Sequence, residues 1–155
     1  GLSVLIVDDE PMMSRALVRA IGRNHNTVTC VGAQEALTLL QTSQQQFDAI
    51  LVDVRMPTMS GLELFQSLLM DDRALVTRLG FMTGAIHDLD PAVGLSGRPL
   101  LEKPFTGAQA RAFVWSLARS GPSSPQRWPC GTAASGVSTW TSTTSFATGR
   151  CWSVP

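Results

Sequence analysis

The chain has 155 residues, 44% of them hydrophobic, and its 12 Lys and Arg residues balance 12 Asp and Glu residues. That suffices for one domain of ordinary size with an appendage, and a net charge of zero gives no global attraction for nucleic acid or an anionic membrane. No apolar run approaches the ~20 residues needed to cross a bilayer. Gly1-Leu2-Ser3 carries no leader pattern, and Cys30, Cys130 and Cys151 have neither zinc nor redox spacing. The expectation is a cytoplasmic globular domain.

Taken in chain order, "LSVLIV" (2–7) is a short continuous apolar run, as a strand buried on both faces requires. Asp8-Asp9-Glu10-Pro11 follows, where an acid can cap a helix and Pro11 suits its first turn. Met13, Leu17, Ala20 and Ile21 then share one helical face. "TVTCV" (27–31) predicts a second strand, and Ala33, Ala36, Leu37 and Leu40 a second helical face. "AILV" (49–52) is another wholly apolar run, and it ends on a carboxylate, Asp53. Ser60 and Glu63 form a capping box ahead of Leu62, Phe65, Leu68 and Leu69 at helical spacing.

"RLGFM" (78–82) predicts a strand leading into Thr83-Gly84. Residues 86–97 predict a weak fourth helix broken by Pro91, Gly94 and Gly97, "PLLE" (99–102) a short fifth strand, and Thr106 the cap of a helix with Ala110, Phe113, Val114 and Leu117 inward. Five strands alternating with five helices is the α/β pattern of a doubly wound, five-stranded parallel sheet.

Ligands of such sheets gather beyond the carboxyl ends of the strands. Asp8, Asp9, Asp53, Thr83 and Lys103 all fall at predicted strand exits. Three clustered carboxylates need a cation. An all-oxygen set without His or Cys favours a hard ion such as Mg²⁺. An ammonium and a hydroxyl beside it are the parts needed to hold a phosphoryl group, with Asp53 as its acceptor.

Together, "VLIVDDEP", "ILVDVRMPTMSG", "FMTG" and "LEKPF" resemble the receiver domain of two-component response regulators, in order and spacing, over about residues 2–119. The resemblance implies a flavodoxin-like sheet of strand order 2-1-3-4-5 and a function in phosphorelay signal transduction. Asp53 would accept a phosphoryl group from a phosphohistidine. Asp9 would bind Mg²⁺ directly, Asp8 mostly through water and Arg55 through its backbone carbonyl. Thr83, Gly84 and Lys103 would hold the phosphoryl group, and the Lys103-Pro104 bond would be cis. The partner would be a histidine kinase or histidine phosphotransfer protein. A homodimer through the fourth-helix and fifth-strand face, or through the tail, is also open. Such a domain catalyses its own phosphorylation and dephosphorylation, as a stand-alone regulator or as part of a hybrid sensor kinase.

Two departures matter. Where many receivers carry an aromatic residue three positions before the lysine, this chain has Leu100, so an alternative is an interaction module that signals without phosphorylation. Arg55 and Ala85 occupy positions that tune acyl-phosphate lifetime, and neither orients a water, which predicts slow to moderate self-dephosphorylation. Residues 120–155 have no acid and only Arg127 and Arg150 as bases, rich as they are in Ser, Thr, Gly and Pro. They lack the aliphatic content for a core. We therefore divide the chain into a receiver domain, 1–119, and a tail, 120–155, which reads equally as a linker, a non-native continuation or an arm with β-propensity around Trp140 and Phe146.

Overall fold

The computed structural model describes residues 1–121, and the tail beyond them, 122–155, lies outside the described residues. Five parallel strands, β1 (Ser3–Val7), β2 (Asn26–Cys30), β3 (Ala49–Asp53), β4 (Leu79–Thr83) and β5 (Leu100–Glu102), form one sheet in the order β2-β1-β3-β4-β5. The helices are α1 (Pro11–Ile21), α2 (Ala33–Thr42), α3 (Gly61–Asp71), α4 (Arg73–Val76), α5 (Pro91–Leu95) and α6 (Gly107–Ser120). This is the doubly wound arrangement that the alternating pattern predicts, in the flavodoxin-like order that the resemblance implies.

The apolar runs become strands because both faces of the sheet are covered. Alternate residues of β1 and β3 point to opposite sides. Leu5, Val7, Ile50 and Val52 enter a core with α2 and α3, while Val4, Ile6, Ala49 and Leu51 enter a second core with α1 and α6. Every one of these eight side chains is 0% exposed. Burying each aliphatic one contributes about 1.5–3 kcal/mol relative to leaving it in water. In β4, Gly80 lets α6 approach. A Cβ there would stand 2.6 Å from the Phe113 ring and 3.0 Å from Leu117.

Three expectations change. The weak helix over 86–97 resolves into a 3-10 turn, Ile86–Asp88, and α5, which Asp90 caps through the Ala92 N–H. The short α4 was not foreseen. Asp72 caps it by accepting from the Ala74 and Leu75 N–H groups. The buried face of α3 is Gly61, Leu64, Phe65 and Leu68, with Leu62 half-buried and Leu69 exposed. The capping box that starts α3 sets its phase as expected, but the helix lies turned so that Leu64 faces the core.

Candidate functional site

Strand register assembles the site. Val7 of β1 stands opposite Val52 of β3, so the next residues, Asp8 and Asp53, emerge side by side. Thr83 of β4 stands opposite Glu102 of β5, and the ladder runs one step further through the Lys103 N–H, which donates to the Thr83 carbonyl at 2.7 Å. Asp8 is fully buried, Thr83 is 1% exposed and Asp53 9%, whereas Asp9 is exposed. Four strand exits thus bring these side chains to one rim.

Charge explains the packing there. Lys103 Nζ lies 3.2 Å from Asp8 Oδ2 and 3.3 Å from Asp53 Oδ2, bridging two buried carboxylates. Their other oxygens hold the adjacent turns: Asp8 Oδ1 accepts from the Glu10 N–H at 2.9 Å, and Asp53 Oδ1 from the Arg55 N–H at 3.4 Å. The acidic cap expected for α1 is therefore corrected. Glu10 occupies the cap position without a side-chain bond, Pro11 has no N–H to offer, and the Asp8 carboxylate holds the turn before the helix.

Burial raises the Asp53 carboxyl above its ordinary value. Lys103 opposes that shift, the Asp8 charge adds to it, and the Arg55 N–H lowers it slightly. For the Lys103 ammonium, burial works downward, but Asp53 and Asp8 outweigh it and hold the group above its ordinary value. The lysine is therefore a fixed cation, and Asp53 is a carboxylate less comfortable ionised than in water.

Carboxylate oxygens of Asp8, Asp9 and Asp53 lie within 4.8 Å of one another. Oxygens on opposite sides of an octahedral Mg²⁺ stand about 4.2 Å apart, so the set fits that ion with a small adjustment or one bridging water. The group contains no His or Cys, which also suits a hard cation. The Arg55 side chain is exposed and turned to Asp88, 3.3 Å from its carbonyl and 3.8 Å from its carboxylate.

Thr83 Oγ1 accepts from the Ala85 N–H at 3.2 Å, which leaves its own O–H to donate to an anion. At Gly84 an added Cβ would meet no described atom within 4 Å, so the rim beside Thr83 is open. Gly61 is required for a different reason: a Cβ there would collide with the Asp53 carbonyl oxygen, and the Gly61 N–H donates to the Val54 carbonyl at 3.0 Å. It seals the loop after β3 onto the site, a role sequence spacing did not reveal. The Lys103-Pro104 bond is cis, as the resemblance implies. Leu100 lies half-buried opposite Phe81, packed against the core. The Cys30 thiol is pushed up to about 11 by burial and by Glu35, so it stays protonated and a poor nucleophile at neutral pH.

A family model for the response regulator receiver domain matches residues 4–114. The chain is 39% identical over 67 residues to the two-component response regulator ORR21 of Oryza sativa, a match covering 43% of this chain and 10% of that protein. It is 29% identical over 126 residues to the transcriptional regulatory protein TcrA of Mycobacterium tuberculosis, covering 79% of this chain and 48% of that one. The chain thus spans at most about half the length of these relatives. Among solved structures, a response regulator receiver protein from Pseudomonas putida superposes with a TM-score of 0.63 at 26% identity, over 74% of this chain and 96% of that one. The Francisella response regulator 1452 receiver domain does so with a TM-score of 0.64 at 21% identity, over 77% and 98%.

Proposed function

Because this chain belongs to the response regulator receiver domains, the signalling modules of two-component phosphorelays, we propose that Asp53 is its phosphoacceptor. The supporting observation is the bridge of Lys103 to both Asp53 and Asp8, at 3.3 and 3.2 Å, inside a rim that also carries Thr83 and Asp9. A histidine kinase or histidine phosphotransfer protein is the donor. An Asp53 oxygen forms the bond to phosphorus while the phosphorus–nitrogen bond of the phosphohistidine breaks, and the leaving imidazole is neutralised by a proton from solvent. Lys103 pairs with the incoming phosphoryl oxygens, the Thr83 hydroxyl donates to one, and the open rim at Gly84 admits them. Asp8, Asp9, Asp53 and the Arg55 carbonyl are the groups that would hold Mg²⁺. Bound there, the ion supplies positive charge against the phosphoryl oxygens. Arg55, engaged with Asp88, and Ala85 give no carboxylate or carboxamide to orient an attacking water, so the acyl phosphate decays at a slow to moderate rate.

Acetyl phosphate with Mg²⁺, followed by intact mass measurement, tests this. One labile phosphoryl adduct is expected on the native chain and none on Asp53→Ala. An adduct that persists in Asp53→Ala, or none on the native chain from any competent donor, would remove the assignment. Leu100, where an aromatic rotamer would otherwise couple site to surface, favours a second reading in which the fold signals without phosphorylation. Absence of the adduct together with intact partner binding would select it. A phosphoryl half-life of seconds with Mg²⁺ would contradict slow decay.

A further inference from the structure

The sheet edge farthest from β5 holds a groove the phosphoryl chemistry does not use. It runs between α1 and β2 as two adjoining hollows, of about 460 and 440 Å³. Val18 and Arg19 line both. Arg15 and Ser14 line the first together with Thr29, and Arg23 and Thr27 line the second. Three features of this groove are unexplained by the fold.

The first is charge. Arg15 and Arg19 are one helical turn apart on α1 and Arg23 follows just past its end, yet among the described residues none has a carboxylate within ion-pair distance. The second is polarity. The Ser14 hydroxyl and Thr27 Oγ1 are buried with no hydrogen-bond partner among the described residues, and Ser14 as a residue is only 5% exposed. Buried hydroxyls are normally satisfied. The third is the free edge. Among the described residues β2 pairs only with β1: the Asn26 N–H donates to the Leu2 carbonyl and the Cys30 carbonyl accepts from the Asp8 N–H. By strand alternation, the backbone groups of Thr27 and Thr29 face outward, away from β1.

We propose that the α1–β2 groove is a docking site for an extended acidic peptide of a partner protein, one with Asp or Glu at alternate positions, added as a strand to the edge of β2. The spacings agree. Arginines four apart on a helix rise about 6 Å along it, and alternate side chains of a strand recur every ~6.6–6.8 Å. Peptide N–H and C=O groups meet those of Thr27 and Thr29, as in strand addition generally. The carboxylates meet the arginines.

Two other occupants fit less well. The chain's own tail contains no acid, since every Asp and Glu lies at or before Glu102. A nucleic acid strand has phosphates to offer but no backbone donors for a sheet edge, and residues 1–119, with 12 acids against 10 bases, lack the long-range positive field that draws such a polyanion.

The test is fluorescence anisotropy of the full chain with a labelled peptide alternating Glu and Val, a peptide of the same composition with its glutamates in one block, and a single-stranded oligonucleotide of equal charge. The alternating peptide is expected to bind tightest. The double variant Arg15→Ala with Arg19→Ala is expected to weaken it about tenfold, the worth of two exposed ion pairs. Arg73→Ala, on α4 at another surface, leaves it unchanged. In the native chain the Thr27 and Thr29 amide resonances should shift on binding, a readout independent of any variant. Equal binding of the blocked peptide, tighter binding of the oligonucleotide, indifference to the double variant, or silent Thr27 and Thr29 amides would each overturn the proposal.

Discussion

β3 and the α5–β5 end supply opposite walls of the same site on very different foundations. Every residue of β3 is buried, and its flanking strands β1 and β4 are nearly so. β5 has three residues, none of them buried, and α5 has five, with Val93 alone buried. Asp8 and Asp53 are therefore held by deep packing on both faces of the sheet. Lys103 arrives on a thin strand and is held by one ladder bond to Thr83 and by the two carboxylates it bridges. Arg98 steadies that end, donating to the Leu79 carbonyl at 2.9 Å and the Thr77 carbonyl at 2.6 Å. The difference teaches where a receiver can afford to move. The acids form a rigid anvil, and the lysine side has few buried contacts and so the smaller local stability.

The contrast can be broken most forcefully in the core. Leu51→Ala, at a site 0% exposed, is expected to cost about 2–5 kcal/mol. Leu95→Ala in α5, at a site 86% exposed, should stay within about 0.5 kcal/mol. Urea unfolding of the two variants measures both, and equal losses would erase the distinction between the two ends. Gly80→Ala presses a methyl group against Phe113 and should cost about 1–3 kcal/mol, with partial recovery when Phe113 is trimmed to Leu.

Asp53→Asn sharpens the electrostatic side. A carboxyl raised in the fold adds stability while protonated, below the unfolded value of 3.8, and that contribution is lost as pH rises through the raised folded value. Without divalent ions, Asp53→Asn should therefore unfold at higher urea than the native chain at pH 7, with the gap closing toward pH 4. A variant less stable than the native chain at pH 7 would contradict the burial argument. The smallest effect belongs to Thr58, which holds φ at 70° in the loop after β3. Thr58→Gly should add about 1 kcal/mol at most, the relief of strain being offset by the freer unfolded chain.

Much of this architecture was legible. The apolar runs at 4–7 and 49–52 read as doubly buried strands because helices cover both faces, and the capping box Ser60/Glu63 and the Thr106 cap sit where spacing placed them. The rim residues were legible because each interrupts an apolar run at its end. Less legible were features that depend on how elements lie against each other. Ser14, which the helical face of Met13, Leu17, Ala20 and Ile21 does not include, is buried, whereas Met13 and Ala20 are only half-buried. Likewise, Leu64 displaces Leu69 from the core face of α3. The Arg98 side chain makes contacts nineteen and twenty-one residues back in the chain, and local periodicity carries no such information.

By itself the sequence determined the element types, the order of strands and helices, and which polar side chains stand at strand ends. Hydrophobic period and capping chemistry are local, so they can be read from neighbours in the chain. Only the tertiary structure decided that Lys103 reaches Asp8 and Asp53 together, that Gly61 closes over Asp53, and that two hydroxyls and three arginines beside β2 have no partner among the described residues. Those outcomes follow from strand register and helix roll, which are settled by the packing of the whole sheet and by no single stretch of it.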